Sequence, residues 1–479
     1  MRRSLQQRLS LGLAAAALGC ASGCGALPPR TPEVKPLPPR QAQAHITLQD
    51  RRGPVSAPVQ AGDLARLRAE GHAERVQRHL GVLAAAGEAE LYRGNSARLL
   101  VDGPETFAAM KAAIGAARRR VLLESYIIED GGIAQGFAEL LLKKAAEGVH
   151  VAVLYDSIGS LESDRAFFDR LRAGGIAVCA YNPVNPLERP GHWSVIQRNH
   201  RKMLAVDSDV AYTGGINLSD VYASGSGPVG SGLGGSGGSG SGGAKAPSGE
   251  EGWRDTQVEL RGPVVNAMAV VFRESWASQG CPGALPPAPP PRQPTAGTRV
   301  VKLVAGDPRA GVNPTYQALM KAVDAATKSV HLTMAYFAPG KDLVQALSDA
   351  AARGVDVQLV LPGRSDVKLV LAAARSHYAQ LLEAGVRIHE FQGSVMHAKT
   401  AVIDGVFSSV GSSNLDWRSI LVNHEIDVIV LGDDFGQEME ALFQRDVQAS
   451  TSIEAATWPR RGFVQRVMEG FARLIEPLL

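Results

Sequence analysis

The 479-residue sequence has few aromatic residues (5%), only four cysteines and no strong excess of either charge. With 50 basic and 47 acidic residues its formal net charge is +3, so the dense basic surface that binds nucleic acid is not expected. Beyond the N-terminal segment, no stretch reaches the roughly 18 consecutive apolar residues of a membrane-spanning helix. These absences predict a globular protein that lies on a membrane rather than in one, and its length predicts two domains.

The four cysteines divide into an N-terminal pair and two separated residues, Cys179 and Cys281. Cys179 lies in an apolar run, where a cysteine commonly packs as a small hydrophobic side chain. The two residues fall in different halves of the chain, and no spacing typical of a zinc site or a disulfide framework is present. We therefore expect neither a disulfide nor a metal site.

The N-terminus has the layout of a bacterial secretory signal. Three arginines among the first eight residues precede the apolar run Leu9–Leu18. The segment Ala17–Cys20 resembles the box after which Cys20 is acylated in lipoproteins, and Cys24 is a weaker second candidate. A plain secretory signal and an uncleaved hydrophobic anchor are the alternatives. The sequence predicts a protein of the cell envelope, held at a membrane in the periplasm by a lipid on Cys20.

Changes in composition indicate the linkers and domain boundaries of the chain. A Pro-rich stretch from Pro28 to Pro58 is typical of an extended tether, and a run of Gly and Ser is typical of a flexible loop. A second Pro-rich stretch separates two larger parts. The predicted boundaries are 1–27 for the signal, 28–80 for the tether and N-terminal segment, 81–280 for a first half with the loop 224–243, 281–296 for a linker, and 297–479 for a second half.

The two halves repeat one another. In each half a helical spacing of apolar residues is followed by a short strand ending near a tyrosine, Tyr126 or Tyr336. A second helix then ends at Gly148 or Gly354 and leads into a β-branched strand. This alternation predicts an α/β fold of two similar sandwich halves. Each half would have a mixed sheet flanked by helices, and a pseudo-twofold axis would relate them within one monomer.

Both repeats end in the same set of polar residues. The first half has His200, Lys202, Asp207 and Asn217, and the second half has His397, Lys399, Asp404 and Asn414. The spacings from the histidine are two, seven and seventeen positions in both halves. One copy would be weak evidence, because a histidine on an apolar strand is commonly structural. Two matching copies indicate one active site, with His and Lys of each motif on the same face of a strand.

The duplicated His-x-Lys-x4-Asp pattern resembles the signature of the phospholipase D superfamily. Its flanking segments 214–220, 253–256, 411–419 and 423–425 resemble those of bacterial cardiolipin synthases. The resemblance implies a two-step transfer through a phosphohistidine, without a cofactor or metal. It also implies that His200 is the nucleophile and His397 the acid–base group, although the residues alone allow the reverse assignment.

The remaining residues of each motif have chemical roles that follow from the charge of a phosphodiester. Lys202 and Lys399 can neutralise the non-bridging oxygens, and Asn217 and Asn414 can donate further hydrogen bonds to them. Asp207 and Asp404 are expected to brace the site rather than to contact the substrate.

An imidazole that acts in catalysis normally has its second nitrogen held by a carboxylate. Asp255 and Glu425 occupy matching segments downstream of the two motifs. Without the Gly/Ser insertion, the spacing from His200 to Asp255 approaches that from His397 to Glu425. This similarity predicts that each carboxylate orients the histidine of its own half. Arg254 and Arg418 could meet lipid headgroups, but both are expected to be solvated surface residues outside the site.

Four functions remain open. They are a phosphatidyltransferase that makes cardiolipin from phosphatidylglycerol, a hydrolytic phospholipase D that releases phosphatidic acid, a secreted nuclease, and a catalytically inactive lipid-binding protein. Balanced charge disfavours the nuclease, and the intact motifs disfavour the inactive protein. The expected partners are an anionic phospholipid and a membrane surface, with no nucleic acid and no required oligomer. The amphipathic C-terminal segment predicts a helix that either lies on the membrane or packs against its own domain.

Overall fold

A computed structural model describes residues 46–476 except 70–71, 88–89, 186, 189–193, 195, 227–251, 290–294, 309–310 and 312. The predicted signal, Cys20 and most of the Gly/Ser loop lie outside the described residues. Within the described ranges, no helix is both long enough and apolar enough to cross a bilayer.

The first half is a seven-stranded mixed sheet with helices packed on it. Its strands are β3 Glu90–Val101, β4 Arg120–Ser125, β5 His150–Asp156, β6 Ala177–Tyr181, β7 Met203–Val206, β8 Val210–Gly214 and β9 Thr256–Arg261. Its helices are α3 Asp102–Gly115, α4 Gly132–Ala146, α5 Arg165–Ala173 and α6 Val264–Ser278. The strand order is β6-β5-β4-β7-β8-β9-β3, parallel from β4 to β6 and antiparallel elsewhere. Strands β4, β7 and β8 are buried along their whole length, as in a sheet covered on both faces.

The second half repeats this arrangement. Its strands are β10 Arg299–Gly306, β11 Ser329–Met334, β12 Asp356–Pro362, β13 Arg387–Phe391, β14 Lys399–Ile403, β15 Phe407–Gly411, β16 Glu425–Leu431 and β17 Ser450–Ser452. Its helices are α7 Pro314–Ala325, α8 Gly340–Ala352, α9 Lys368–Ser376, α10 Tyr378–Glu383, α11 Trp417–Leu421, α12 Asp433–Gln448 and α13 Phe463–Ile475. The order β13-β12-β11-β14-β15-β16-β10 matches the first half strand for strand, and β17 extends it beside β13. The predicted fold of two similar α/β halves is confirmed.

The two sheets are joined at their edges and share a core. Strand β10 pairs antiparallel with β3, so the terminal strands of the two halves are hydrogen-bonded neighbours. One buried apolar cluster contains Val258 and Leu260 of the first half together with Val410 and Ile426 of the second. A core that draws on both halves fixes their relative position, which is the condition for a site built from both.

The N-terminal segment folds onto the body of the protein from residue 46 onward. It contains β1 Thr47–Asp50, β2 Gly53–Pro54, α1 Ala57–Ala69 and α2 Ala73–Ala85. Strand β1 pairs in parallel with β3, and its Leu48 is fully buried. The expectation of an extended tether is therefore wrong for residues 46–58, because an apolar residue inside the Pro-rich stretch completes the sheet edge.

Cys179 and Cys281 form a disulfide. Cys179 lies in β6, and Cys281 follows directly after α6, whose apolar face packs into the shared core. The expectation of two unpaired cysteines is wrong because Cys281 belongs spatially to the first half. The return of the chain through α6 brings the two Cα atoms to 5.7 Å.

Candidate active site

The segment before β7 approaches the second half of the chain. Asn199 forms a parallel bridge with His424, and the backbone N–H of His200 donates to the carbonyl of His424 at 2.9 Å. This bond sets the imidazole of His200 beside the carboxylate of Glu425, at 3.0 and 3.1 Å from Nδ1 to the two oxygens. Both side chains are buried, so the pair is shielded from water.

Two hydroxyl groups hold the carboxylate of Glu425. Ser412 donates to Oε2 at 2.5 Å and Ser419 donates to Oε1 at 2.7 Å. Burial raises the pKa of Glu425 to about 7, and the nearby charge of Lys202 opposes this rise. A carboxylate held in this way accepts the Nδ1–H of His200 and leaves the Nε2 lone pair free.

A contact of the same kind joins His397 of the second half to a carboxylate of the first half. Its backbone N–H donates to the carbonyl of Arg254 at 2.7 Å, next to a parallel bridge between Arg254 and Met396. The Nδ1 atom of His397 lies 2.7 Å from Oδ2 of Asp255. The hydroxyl of Tyr222 lies 3.0 Å from the same nitrogen.

The predicted pairing of each histidine with the carboxylate of its own half is therefore wrong. In each half one strand, β8 or β15, lies between the motif strand and the strand that begins at or directly after the carboxylate. Two inter-strand spacings amount to about 9.5 Å, too far for a hydrogen bond. The cross-half bridges instead bring each carboxylate to the histidine of the other half.

The lysines of the two motifs lie beside their histidines. The Nζ of Lys202 donates to the carbonyl of His200 at 2.7 Å and lies 5.1 Å from the centre of the Tyr126 ring. The Nζ of Lys399 lies 3.0 and 3.1 Å from the two ring nitrogens of His397. Burial lowers the pKa of Lys202 well below its ordinary value and that of Lys399 to about 8.

The electrostatics of the two imidazoles differ. Burial lowers the pKa of His200 well below its ordinary value, and the charges of Lys202, Lys399 and His397 lower it further. Burial and Lys399 also lower the pKa of His397, but there Asp255 opposes the shift. Charged groups of the second motif therefore lie close enough to His200 to affect its protonation.

The asparagines have different local contacts. Oδ1 of Asn217 accepts the backbone N–H of Ile127 at 3.1 Å, which leaves its amide N–H groups as donors. Oδ1 of Asn414 is buried and has no hydrogen-bond partner among the described residues. A buried polar atom of this kind is commonly satisfied by a bound molecule or water.

The motif aspartates lie in the turns after β7 and β14, away from the imidazoles. Asp207 accepts the backbone N–H groups of residues 118–120 at 2.9–3.1 Å, and Asp404 accepts those of residues 327–329. His79 of α2 also contacts Asp404, at 3.1 Å. Both aspartates have a left-handed backbone, with φ of 53° and 54°. They tie the motif strands to the strands beside them.

Sequence reasoning missed Tyr222, although an alignment of the two repeats places it at the position of Ser419. Tyr222 is the fifth residue after its motif asparagine, just as Ser419 is in the second half. A second difference is that Gly215 stands where the second half has Ser412. A Cβ on Gly215 would lie 2.1 Å from Asp255, so no side chain fits there. The surroundings of the two carboxylates are therefore not symmetric.

Two buried arginines hold the halves together beside the site. Arg254 is 2% exposed and makes a bidentate contact of 2.8 and 2.9 Å with Asp446 of α12. The expectation of a solvated Arg254 is wrong for this reason. Arg201, between His and Lys of the first motif, donates at 2.8 Å both to Ser275 of its own half and to the Gly306 carbonyl of the other.

Comparison with known proteins agrees with this geometry. The family described as cardiolipin synthase, PLD-like domain, matches residues 110–224 and 319–447, one range in each half. The cardiolipin synthase of Geobacillus thermodenitrificans is 32% identical over 384 residues, which are 80% of this chain and 72% of that protein. Cardiolipin synthase A of Cronobacter sakazakii is 33% identical over 81% of this chain and 76% of its own length.

A solved structure shows the same fold. The phosphatidylserine synthase of Haemophilus influenzae superposes with a TM-score of 0.58 at 14% sequence identity, covering 80% of this chain and 95% of its own. At that identity the likeness establishes the architecture alone. The family match in both halves and the identity to the cardiolipin synthases show that the chain belongs to the phospholipase D superfamily, within the family of the cardiolipin synthase-like proteins.

Proposed function

We propose that this protein is a phosphatidyltransferase that makes cardiolipin from two molecules of phosphatidylglycerol through a phosphohistidine. The observation that carries the proposal is the pair of cross-half contacts, His200 with Glu425 and His397 with Asp255. They supply two imidazoles, each oriented by a carboxylate, to one site. The cardiolipin synthases that resemble four fifths of this chain support the choice of substrate.

In the first step, Nε2 of His200 attacks the phosphorus of one phosphatidylglycerol. The bond from phosphorus to the glycerol headgroup breaks, and His397 gives its proton to the departing glycerol oxygen. The lowered pKa of His200 supports its assignment as the nucleophile, because a nucleophile must be unprotonated. Burial and Lys399 lower the pKa of His397 as well, but its contact with Asp255 opposes this shift and favours the protonated imidazole, which supports His397 as the acid.

In the second step, His397 takes the proton from a glycerol hydroxyl of a second phosphatidylglycerol. That oxygen attacks the phosphorus, and the bond from phosphorus to His200 breaks. One cardiolipin and one glycerol result from two phosphatidylglycerols, and both histidines return to their starting protonation. Water in place of the second lipid would give phosphatidic acid.

The lysines and asparagines would stabilise the charge that develops on the phosphoryl oxygens. Lys202 and Lys399 have lowered pKa values because they are buried. An anionic phosphodiester beside them would favour their charged forms again, which couples lysine protonation to substrate binding. Asn217 and Asn414 would donate from their side-chain amides, and Asp207 and Asp404 would hold the motif strands in place.

The location proposed for the protein is the outer side of the cytoplasmic membrane or another surface of the cell envelope, with a lipid on Cys20 as anchor. The disulfide between Cys179 and Cys281 supports export, because such bonds persist in oxidising compartments. Cys20 lies outside the described residues. Incorporation of a labelled fatty acid that is lost in Cys20→Ser is the test of the anchor, and equal labelling of parent and variant would remove it from the proposal.

The activity is tested by supplying phosphatidylglycerol vesicles alone to the purified protein and analysing the lipid products. Cardiolipin with an equal amount of glycerol is the expected result. Phosphatidic acid without cardiolipin would identify a hydrolase instead. His200→Ala and His397→Ala should each abolish turnover, and full activity in either variant would contradict the shared site.

A further inference from the structure

Helix α13 presents an apolar face that nothing in the described chain covers. Its exposed apolar side chains are Phe463, Val464, Val467, Met468, Phe471 and Leu474. The two ends of this face are the most open, with Phe463 72% and Leu474 80% exposed. At about 100° per residue, these six side chains fill an arc of roughly 140° on a helix some 20 Å long. A contiguous exposed face of this kind marks an interaction surface.

The opposite side of α13 is packed, so the helix is held in place while its apolar face stays exposed. Ala472 is fully buried in a cluster with Ala338 and Ala373. The two acidic side chains at this side are both buried and paired, Glu469 with Arg461 and Glu476 with His377.

The charges left at the surface of α13 are basic. Arg466 and Arg473 are exposed and follow the edge of the apolar face, about 60–80° from Phe463 on the helical wheel. An apolar face bordered by arginines fits the interface of a bilayer that contains anionic lipid, where apolar side chains enter the acyl boundary and cations meet headgroups.

Helix α13 adjoins the active site. Ala338, which packs on Ala472, donates its backbone N–H to the carbonyl of Leu415 at 2.7 Å. Leu415 directly follows the motif residue Asn414, and Ala338 lies two residues after Tyr336, whose ring centre is 6.1 Å from that of His397. The packed side of α13 therefore rests on the segment that carries Tyr336, next to the one that carries Asn414.

The first half also exposes apolar side chains, in segments that lead along the chain to the site. Leu187 is 83% exposed and Ile196 is 57% exposed, and both lie in the segment that leads from β6 to His200. Val221 is exposed beside Tyr222, which contacts His397. The two halves thus expose apolar groups on segments that lead to the same site.

We propose that α13, together with Leu187, Ile196 and Val221, forms a docking surface that binds an anionic bilayer and places the opening of the active site against it. The inference rests on the proposed function for its orientation, since a lipid substrate enters from the membrane. Helix α13 lies in the plane of the interface, with its apolar face in the lipid and Arg466 and Arg473 at the headgroups. Substrate headgroups then reach the two histidines without leaving the bilayer.

The test uses the full chain with Cys20→Ser and Cys24→Ser, so that neither candidate cysteine carries acyl chains. Val467→Asp with Phe471→Asp changes the exposed face and leaves the packed side of α13 intact. The matched control is Val59→Asp with Val270→Asp, two exposed valines on α1 and α6. Residues 1–45 are identical in all variants, so their contribution to binding cancels.

Flotation with phosphatidylglycerol vesicles should show at least tenfold weaker binding for the α13 variant and no change for the control. Turnover of vesicles should fall in parallel, whereas turnover of dihexanoyl-phosphatidylglycerol below its micellar concentration should stay the same. Arg466→Glu with Arg473→Glu should weaken binding to these vesicles and leave binding to phosphatidylcholine vesicles unchanged.

Three results would overturn the docking surface. They are unchanged vesicle binding by the α13 variant, an equal loss of activity on vesicles and on the monomeric lipid, and a dimer of the parent chain that the α13 substitutions dissociate. A parent chain that binds vesicles through α13 but turns over neither lipid would contradict the proposed function and leave the docking surface standing.

Discussion

The imidazole of His200 is held by Glu425, a residue 225 positions later in the chain and in the other half of the molecule. The contact between His397 and Asp255 repeats this exchange in the opposite direction. Each half therefore supplies a histidine to the site and a carboxylate to its neighbour. Neither motif histidine is held by a carboxylate of its own half, so the two halves depend on one another and do not form two independent sites.

This exchange predicts which chemical step each carboxylate affects. A nitrophenyl phosphodiester has a leaving group that needs no protonation, so its attack by His200 should require Glu425 but not Asp255. Glu425→Gln should slow release of nitrophenol by about 10–100-fold, the usual cost of losing such an orienting group. Asp255→Asn should leave that release within about twofold and slow the turnover of phosphatidylglycerol. Rapid-mixing absorbance measures the first step, and lipid analysis measures the whole reaction.

If each carboxylate instead oriented the histidine of its own half, the two variants would show the reverse pattern. Slower nitrophenol release in Asp255→Asn, with normal release in Glu425→Gln, would contradict the cross-half assignment or the choice of His200 as nucleophile. Trapping the phosphorylated intermediate in acid-free gels and mapping the modified histidine separates these two explanations.

The pKa values of Glu425 and Lys399 predict a narrow pH optimum. Burial raises the pKa of Glu425 to about 7, and below that pH the protonated acid no longer accepts the Nδ1–H of His200. Burial lowers the pKa of Lys399 to about 8, and above that pH its neutral amine no longer offsets the phosphate charge. These two groups should therefore add to the kcat/KM profile a fall on the acid side below about pH 7 and a fall on the alkaline side above about pH 8, besides the loss of the His397 proton.

Substitutions identify the group behind each side of the profile. Glu425→Gln should remove the acid side, because its amide does not titrate. Lys399→Arg should move the alkaline side beyond the measured range, since a guanidinium keeps its proton. An alkaline fall that persists in Lys399→Arg would assign it to another group.

Much of the fold and most of the site could be predicted from local patterns. The repeated order of helices and strands predicted two similar halves. The spacing of His200, Lys202 and Asn217, which the second half repeats, predicted the catalytic candidates. The carboxylate pairing could not be predicted, because it depends on how two sheets join at β3 and β10 rather than on spacing within either. Cys281 was misassigned for a related reason, since Pro-rich composition indicated a linker while α6 returns the chain to β6.

Tyr222 gives a prediction that concerns His397. Its hydroxyl lies 3.0 Å from Nδ1 of His397, so Tyr222→Phe removes one hydrogen bond from the proposed acid–base group. We expect kcat/KM for phosphatidylglycerol to fall by about tenfold, the equivalent of about 1.4 kcal/mol. Steady-state kinetics on vesicles measures the effect.

Tyr336 provides a matched control. Its ring also lies near that of His397, but its hydroxyl bonds to Asp366 at 2.8 and 2.9 Å. Tyr336→Phe should therefore leave kcat/KM within about twofold. Equal losses in the two variants would show that removal of either hydroxyl has the same cost and that the Tyr222 hydroxyl has no separate effect on His397.

The disulfide predicts a stability that depends on the redox state. Linking Cys179 to Cys281 closes a loop of 102 positions, and a loop of that size stabilises the folded state by about 3–5 kcal/mol through the lost entropy of the unfolded chain. A reductant should lower the free energy of unfolding of the parent protein by this amount in urea titrations. Cys179→Ala with Cys281→Ala should show the lower stability at the outset and no response to the reductant.

The same titration distinguishes material purified from the cell envelope from material made in the reducing cytosol, because only the exported protein should have the higher stability. If the parent protein unfolds at the same urea concentration with and without reductant, the bond does not contribute, and the argument from the disulfide to an oxidising compartment fails with it.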